Sequence, residues 1–277
     1  MIAWLCARSQ GGKILLRMED LDHPKDKPGA AEQALEDLRW LGFDWDDSFT
    51  QSARRDIYRR ELERIRDRIY PCTCSRRDVL AAQSAPHEGE QLYYPGTCRG
   101  RYREFPPGAC WRFRVEENTR VAFNDVFCGL FEQDVSHTLG DFPLARDVDG
   151  AGYTFACTVD DILSGVTEVI RGDDLLPVTP AQILIAKALG YTPPRYCHVP
   201  LVVGPDGRRL AKRHGDTRIS AYRAAGVRPE RILGFLAGSC GWASSGEEIA
   251  LVDLIERFDL SSVDRHPFVV NDPLALT

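Results

Sequence analysis

The sequence predicts an α/β fold built on a parallel sheet, and three features of its pattern support that prediction. Short apolar runs, such as Lys13–Glu19 and Val166–Ile170, alternate with amphipathic helical stretches in two separate parts of the chain. Between residues 71 and 134, proline, glycine and cysteine become frequent, and Cys110–Glu117 alternates apolar and polar residues as a half-buried strand does. Helical patterns fill the tail from Ile219 to Leu260. We therefore expect an α/β core that is interrupted by a small β-rich module.

The predicted elements follow in chain order. A strand over residues 13–19 ends in the carboxylates Glu19, Asp20 and Asp22. Apolar periodicity predicts a helix over 29–41, which Gly42 would end, and a second helix over 54–70. The apolar stripe of the second helix consists of Tyr58, Leu62, Ile65 and Ile69.

Past the β-rich module the core pattern resumes. A helix is predicted over 180–190, because Pro180 suits a first turn and Gly190 suits a helix end. A strand over 198–203 is followed by the turn sequence GPDG. The resulting division has four parts: 1–70 and 136–204 as the two halves of the core, 71–135 as the inserted module, and 205–277 as a basic loop with a helical C-terminal region.

Composition restricts the class of protein. Of the 277 residues, 43% are hydrophobic and 27% charged, which is ordinary for a globular chain, and no apolar run is long enough to cross a bilayer. The nine cysteines are odd in number and scattered, which favours a reducing cytoplasm over a disulfide framework. The formal net charge of −6 gives no general attraction to nucleic acid, so an RNA partner would need local basic patches.

Three cysteines in the inserted module suggest a metal site. Cys72, Cys74 and Cys98 lie within a short span, and thiolates are preferred ligands of zinc. Candidates for the fourth ligand are His87, Tyr93 and Tyr94. The alternative is that these are three unrelated buried thiols.

Two further stretches carry chemistry. The basic loop Gly207–Asp216 follows a strand of the core and could meet phosphates, although a solvated surface loop is the alternative. Arg171 ends an apolar strand, where an arginine can grip a carboxylate in a bidentate fork. Taken alone, Arg171 could equally form an ordinary ion pair with Asp173 or Asp174.

Four blocks, taken in order, resemble the class I glutamyl-tRNA synthetases: LLRMEDLD, DFPLARDVDGAGYTFACTVDD, GVTEVIRGDDLL and GPDGRRLAKRHG. The resemblance implies a Rossmann-like parallel sheet with an inserted zinc-containing subdomain and a short helical C-terminal region. It also implies ATP as a substrate, with Mg²⁺ accompanying it.

The cluster CTC…YPGTC is similar to the zinc site of a short paralogous family, the glutamyl-queuosine tRNA(Asp) synthetases. The few residues after Arg213 also favour this family over a true glutamyl-tRNA synthetase, which carries a large anticodon-binding region. The resemblance implies that one Zn²⁺ is bound by Cys72, Cys74, Tyr94 and Cys98. Its implied activity is the ATP-dependent transfer of L-glutamate to the queuosine base in the anticodon arm of tRNA(Asp), by a cytoplasmic monomer without a membrane partner.

The resemblance also implies a role for each matching residue. Glu19 would bind the ammonium group of glutamate, Tyr153 would pack beside the amino acid, and Arg171 would pair with a carboxylate. Lys212 would stabilise charge on the ATP phosphates in a KMSKS-like loop. That loop reads Arg209, Leu210, Ala211, Lys212 and Arg213, with alanine at the usual serine position. Four other cysteines would be core residues: Cys110, Cys128, Cys157 and Cys197.

In the family, LLRMEDLD is the second strand, and a first strand and a HIGH-like ATP-binding motif precede it. The sequence MIAWLCAR matches the end of the helix that bears this motif. We therefore expect an in-frame extension upstream of Met1, and we expect the 277-residue chain to be poorly soluble or unable to activate glutamate. Two alternatives stay open: a catalytic fragment of a conventional glutamyl-tRNA synthetase, and a non-catalytic zinc-containing RNA-binding paralogue.

Overall fold

A computed structural model describes residues 1–21, 29–81, 93–102, 104–147, 150–208 and 218–270 of the chain. These residues form nine α-helices and eleven strands. The helices are α1 Ile2–Ser9, α2 Ala30–Trp40, α3 Arg55–Arg64, α4 Arg76–Ala81, α5 Val135–Thr138, α6 Tyr153–Leu163, α7 Thr179–Ala188, α8 Ile219–Ala224 and α9 Pro229–Gly238. The strands are β1 Leu15–Met18, β2 Asp47–Thr50, β3 Ile69–Cys72, β4 Cys110–Phe113, β5 Arg120–Asp125, β6 Gly129–Asp134, β7 Pro143–Ala145, β8 Glu168–Gly172, β9 Arg195–Val199, β10 Val202–Val203 and β11 Phe268–Val269.

The parallel part of the fold consists of strand pairs. β1 pairs with β2, and β8 pairs with β9, both in parallel. Among the described strands, hydrogen bonds do not join these two pairs into one continuous sheet. Arg17 on β1 instead pairs with Asp161 on α6, and α1, the helix that precedes β1, packs beside β8. The α/β class with parallel strands is thus confirmed, while one continuous parallel sheet is not observed.

The segment between the two parallel pairs is antiparallel. β3, β4 and β7 form a three-stranded antiparallel sheet, and β5 and β6 form a hairpin closed by the turn 126–128. The hairpin also lies against β9, since the backbone N–H of Val126 donates to the carbonyl of Tyr196. The β-rich segment is therefore packed directly on the parallel pair β8–β9.

Two large hydrophobic cores hold these parts together. One core joins α3, α6 and α7 to the antiparallel sheet and includes the fully buried Phe155 and Leu144. The other joins α1 and the end of α2 to the C-terminal region through Leu5, Leu41 and Trp242. Among the described residues, none of the helices combines the length and the apolar character that a bilayer crossing requires.

Two predicted elements end earlier than expected. The helix predicted over 54–70 stops at Arg64, and Ile69 instead begins β3, where it pairs with Phe113 of β4. The strand predicted over 198–203 is broken at Pro200, which has no N–H to donate to a ladder. Its second half becomes β10, which pairs with β11 rather than with β8.

Candidate functional site

Arg171 lies at the centre of a buried group of uncharged acceptors. It stands opposite His198 in the register of β8 and β9, and its Nε donates to His198 Nε2 at 3.0 Å. Its Nη2 donates to Thr179 Oγ1 and to Gln182 Oε1, each at 2.7 Å. Behind His198, the Nδ1 atom lies 2.6 Å from Asp125 Oδ2. We call these five residues the Arg171 cluster.

The Arg171 cluster holds an arginine whose partners are uncharged. In the part of the chain that the structure describes, no carboxylate lies at ion-pair distance from its guanidinium, so the alternative ion pair with Asp173 or Asp174 is not formed there. Burial lowers the pKa of Arg171, yet an arginine keeps its charge in proteins. Because Nε and both N–H groups of Nη2 are engaged, the bidentate fork is not free. Among the described residues none accepts from Nη1, which is the nitrogen left for a ligand.

The protonation of His198 follows from its partners. An arginine N–H can only donate, so Nε2 must be an acceptor and the imidazole proton must be on Nδ1, facing Asp125. Burial lowers the pKa of His198, and the Arg171 charge lowers it further against the opposing effect of Asp125. Burial opposes ionisation of Asp125, but hydrogen bonds from the Cys128 backbone and from His198 lower the pKa of its carboxyl. The pair is thus a neutral imidazole on a buried carboxylate.

A second group surrounds Glu19 just past the end of β1. Glu19 Oε1 accepts from Arg17 Nη2 at 3.1 Å and from the Cys157 thiol at 3.4 Å. Arg17 in turn pairs with Asp161 Oδ1 at 2.5 Å. Among the described residues, none donates to the other oxygen of Glu19, Oε2. We call Arg17, Glu19, Cys157 and Asp161 the Glu19 cluster.

Tyr153 lies between the two clusters at the start of α6. Partial burial raises the pKa of its hydroxyl to about 12, and the charge of Glu19 adds to this, while the charges of Arg171 and Arg17 oppose it. Tyr153 is 45% exposed, so a small molecule can reach it from solvent. The structure therefore brings the three residues predicted to bind glutamate, Glu19, Tyr153 and Arg171, into one neighbourhood.

The predicted metal ligands also meet. The sulfur atoms of Cys72, Cys74 and Cys98 all lie within 4.8 Å of one another. The Tyr94 hydroxyl lies 3.2 Å from Cys72 Sγ and 3.6 Å from Cys74 Sγ. Cys98 and Tyr94 are brought there by the segment 93–102, which an isolated bridge between Tyr94 and Gly140 joins to the connection between α5 and β7. We call these four residues the thiol cluster.

The thiol cluster has the dimensions of a tetrahedral zinc site. Four ligands around Zn²⁺ with Zn–S bonds of about 2.3 Å would be about 3.8 Å apart, close to the 3.5 Å between Cys74 Sγ and Cys98 Sγ. Burial opposes ionisation of Cys98, but hydrogen bonds from Tyr94, from the Thr73 backbone and from the other thiols lower its pKa to about 7. Burial raises the pKa of Cys74 to about 11. The residues present therefore fit a zinc ion.

Several predicted residues lie outside the described part of the chain. They are Asp22, the alternative ligand His87, and all five residues of the KMSKS-like loop, Arg209, Leu210, Ala211, Lys212 and Arg213. The prediction that four other cysteines are core residues is confirmed for Cys157 and Cys197, which are buried. Cys110 is only partly buried, and the prediction is wrong for Cys128, whose position on the turn 126–128 leaves it exposed.

Sequence reasoning missed some residues of the site. Cys157 and Asp161 follow Tyr153 at intervals of four, which places all three on one face of α6, so helical periodicity could have found them. Arg17 lies two residues before Glu19, on the same side of its strand. Asp125 and His198 are 73 residues apart and in different predicted domains, and no sequence pattern connects them.

Similar proteins were found by sequence. A profile of the family described as tRNA synthetases class I (E and Q), catalytic domain, matches residues 1–272. The glutamyl-Q tRNA(Asp) synthetase of Rhodopirellula baltica is 43% identical, over 98% of this chain and 91% of that protein. The protein of the same name from Symbiobacterium thermophilum is 42% identical, over 96% and 88%. The glutamate–tRNA ligase of Aquifex aeolicus is 38% identical, over 98% of this chain and 60% of the ligase.

Solved structures give a similar result. The crystal structure of a glutamate tRNA ligase from Elizabethkingia meningosepticum, in complex with its amino acid, superposes with a TM-score of 0.79 at 27% identity. The match covers 96% of this chain and 62% of that ligase. The chain thus spans about three fifths of the length of the glutamate–tRNA ligases that it resembles.

Proposed function

The chain belongs to the class I glutamyl- and glutaminyl-tRNA synthetase catalytic-domain family, and we propose that it activates L-glutamate with ATP and transfers it to queuosine in the anticodon arm of tRNA(Asp). The observation that carries this proposal is the identity of 42–43% to relatives named glutamyl-Q tRNA(Asp) synthetase, over most of their length. We expect the enzyme to act in the cytoplasm as a monomer.

The chemistry has two steps. A carboxylate oxygen of glutamate displaces pyrophosphate from the α-phosphorus of ATP, and a nucleophile on queuosine then displaces AMP from the glutamyl-adenylate. The carboxylate that reacts loses its charge on activation, so it cannot be the one that a fixed cation binds throughout. Glu19, through Oε2, would bind the ammonium group next to the α-carboxylate. Arg171, through Nη1, would then bind the side-chain carboxylate.

This division of roles accounts for selection of glutamate. The guanidinium of Arg171 is positively charged and its Nη1 can only donate hydrogen bonds, so it favours a carboxylate over the neutral amide of glutamine. Tyr153 would pack against the aliphatic part of the substrate at the opening of the site. Arg17 holds the carboxylate of Glu19 from the opposite side.

The ATP end of the site is proposed from the sequence. Lys212, in the KMSKS-like loop of residues 209–213, would stabilise the negative charge that develops on the phosphates, together with Mg²⁺. A lysine suits this role, because its ammonium group is a compact point charge on a flexible stem.

We further propose that Cys72, Cys74, Cys98 and Tyr94 hold one zinc ion. Its donor set of three thiolates and a phenolate, closed to solvent on most sides, has the character of a structural site. Bound there, zinc would supply a crosslink between β3 and the segment 93–102. Arg112, whose guanidinium carbon lies 3.8 Å from the centre of the Tyr94 ring, would offset part of the negative charge of the thiolates.

The experiment that tests the function measures incorporation of labelled glutamate into RNA. For the protein that includes the upstream extension expected from the sequence, we expect ATP-dependent labelling of tRNA(Asp) that contains queuosine, and no labelling of the same tRNA made without the modification. An isolated anticodon stem-loop carrying queuosine should also be labelled, because it has no amino-acid acceptor end. Labelling confined to tRNA lacking queuosine would contradict the proposal.

A second candidate is aminoacylation of tRNA(Glu). It is favoured by the 38% identity to the Aquifex ligase and by the likeness to the Elizabethkingia structure. Labelling of tRNA(Glu) but not of tRNA(Asp) in the same assay would select it. Binding of tRNA(Asp) without any ATP-dependent labelling would instead indicate a non-catalytic RNA-binding protein.

A further inference from the structure

Asp125 and His198 form a pair that has no part in the chemistry described above. Both side chains are fully buried. Asp125 ends β5 in the β-rich segment, whereas His198 belongs to β9 of the parallel pair. Burial of an ionised carboxylate is costly unless its hydrogen bonds are satisfied. Asp125 contacts His198, and His198 contacts Arg171, so the burial of this pair requires an explanation.

The two oxygens of Asp125 have different partners. Oδ1 accepts three backbone N–H groups, from Phe127 at 3.0 Å, Cys128 at 2.8 Å and His198 at 3.1 Å. Oδ2 lies 2.6 Å from His198 Nδ1. The three backbone donors fix the plane of the carboxylate, so its second oxygen is aimed at the imidazole. The turn 126–128 thereby sets the position of the histidine ring.

The orientation of the imidazole in turn determines the orientation of the Arg171 guanidinium. With its proton on Nδ1, His198 presents a lone pair at Nε2, to which Arg171 Nε donates at 3.0 Å. Thr179 and Gln182 take the two N–H groups of Nη2. The guanidinium is held by three bonds in one plane, and Nη1 is directed away from all of them.

We propose that Asp125 and His198 are positioning residues for Arg171: they fix the imidazole tautomer that orients the guanidinium, so that Nη1 alone is presented to the carboxylate of glutamate. This inference rests on the proposed activation of glutamate. Asp125 and His198 would then support the site without contacting glutamate or ATP. The turn 126–128 of the β-rich segment would contribute to amino-acid recognition.

Asp125→Asn tests the tautomer directly. The three backbone N–H groups that face Oδ1 require an oxygen there, so the amide nitrogen of the new side chain would face His198 Nδ1. Two donors cannot face each other, and the imidazole proton should move to Nε2. There it would oppose the Nε–H of Arg171 and compete with Arg171 Nη2 for Thr179 Oγ1, which lies 3.1 Å from Nε2. We expect the KM for glutamate to rise about 10- to 100-fold, the effect of losing a hydrogen bond to a charged group. The KM for ATP should change little.

His198→Gln should preserve the hydrogen bond to Arg171 and with it the KM for glutamate. The glutamine side chain can place a carbonyl oxygen near the position of Nε2, so it can still accept from Arg171 Nε and should keep the KM for glutamate within a few-fold of wild type. A merely structural role predicts the reverse order, because Asp125→Asn conserves shape and His198→Gln does not. The matched control is His137→Gln, which removes an exposed histidine paired with Asp134 and should leave the KM unchanged.

The tautomer is read by NMR of protein labelled with ¹⁵N-histidine, in which the signal lost in His198→Gln identifies His198. We expect Nδ1–H in wild type and Nε2–H in Asp125→Asn. An Nε2–H or doubly protonated His198 in wild type would overturn the proposal, whether or not the asparagine variant folds. So would an unchanged glutamate KM in a folded Asp125→Asn protein.

The same series separates this proposal from the proposed function. Wild-type protein that activates glutamate but does not label tRNA(Asp) would contradict the function and leave the positioning role supported. Wild-type protein that binds no glutamate in direct titration would contradict both.

Discussion

The Arg171 cluster and the thiol cluster are both preorganised, but in opposite electrostatic senses. The Arg171 cluster presents a permanent positive charge that neutral acceptors hold in place. The thiol cluster presents groups that become negative only when they lose protons, and burial raises the pKa of one of them, Cys74, to about 11. The first is suited to bind an anion reversibly, and the second to bind a cation tightly.

The difference also concerns what each cluster does for the fold. The Arg171 cluster lies between β8, β9 and α7, in a region with its own hydrophobic core. The thiol cluster lies in a small cluster of buried residues beside β3, where few apolar side chains are available. A region with so small a core needs a crosslink, because hydrophobic burial alone stabilises it little. We therefore expect changes to the thiol cluster to affect stability most, and changes to the Arg171 cluster to affect substrate binding most.

The largest effect is expected for loss of two zinc ligands. Cys72→Ala combined with Cys74→Ala should abolish zinc binding, whose free energy in small zinc domains is about 10–16 kcal/mol. Elemental analysis should find one zinc per chain in the wild type and none in the variant. Hydrogen exchange should show loss of protection in β3 and in residues 93–102, with β8 and β9 still protected.

The control for that variant is Cys128→Ala, because Cys128 is exposed and lies outside the thiol cluster. It should retain a full complement of zinc. Zinc bound at the wild-type ratio in the double variant would refute the assignment of the ligands.

The next effect in size concerns the anion site. Arg171→Ala should weaken glutamate binding by about 2–5 kcal/mol, because a buried charge-assisted contact is lost. Isothermal titration with glutamate and with ATP should show that only the glutamate affinity falls. Arg195, an exposed arginine on the neighbouring strand that pairs with Glu168, is the matched control. If Arg195→Ala weakened glutamate binding as much as Arg171→Ala, the effect could not be ascribed to the site.

More of the thiol cluster than of the Arg171 cluster could be predicted from the sequence. The ligands of the thiol cluster and the residues Glu19, Tyr153 and Arg171 lie in short motifs, so a single sequence was enough to name them. The support behind Arg171 was not predictable, because Asp125 follows an ordinary alternating strand and meets His198 only when the hairpin packs on β9. Helix ends were misjudged for a similar reason. The apolar stripe of α3 continues past Arg64, and pairing of Ile69 with Phe113 decides where the helix stops.

Loss of the Tyr94 phenol should reduce zinc affinity less than loss of the cysteine ligands does. Tyr94→Phe keeps the ring beneath Arg112 but removes the hydroxyl that lies 3.2 Å from Cys72 Sγ. We expect zinc to remain bound with an affinity about 10- to 100-fold lower, a loss comparable to that of a partner outside the ligand shell. Competition with a chromophoric chelator measures this change.

Tyr93→Phe is the appropriate comparison, because the neighbouring tyrosine was the other phenol considered as a ligand. Its zinc affinity should equal that of the wild type. A larger loss in Tyr93→Phe than in Tyr94→Phe would exchange their assignments.

The smallest effect is a dependence of stability on pH that arises in the Arg171 cluster. Burial lowers the pKa of His198 in the folded protein, the charge of Arg171 lowers it further, and Asp125 and Asp173 oppose the shift. With a folded-state pKa below the unfolded value of about 6.5, the unfolded chain takes up a proton first as the pH falls. The stabilisation is therefore fully present above about pH 6.5 and is lost below it. At pH 5.5 the loss should be up to about 1.4 kcal/mol relative to neutral pH.

Urea denaturation of wild type and His198→Gln, at pH 7.5 and at pH 5.5, measures this contribution as a difference between the two proteins. Taking the difference removes the acid effects that both proteins share, such as any loss of zinc from the thiol cluster. Asp125 is not among them, because its carboxyl loses the hydrogen bond from His198 in the variant. We expect the wild type to lose more stability on acidification than His198→Gln does. The exposed His137, replaced in the same way, should leave the wild-type dependence in place. Equal losses in wild type and His198→Gln would mean that His198 takes up its proton as readily in the folded protein as in the unfolded chain, which the fixed tautomer does not allow.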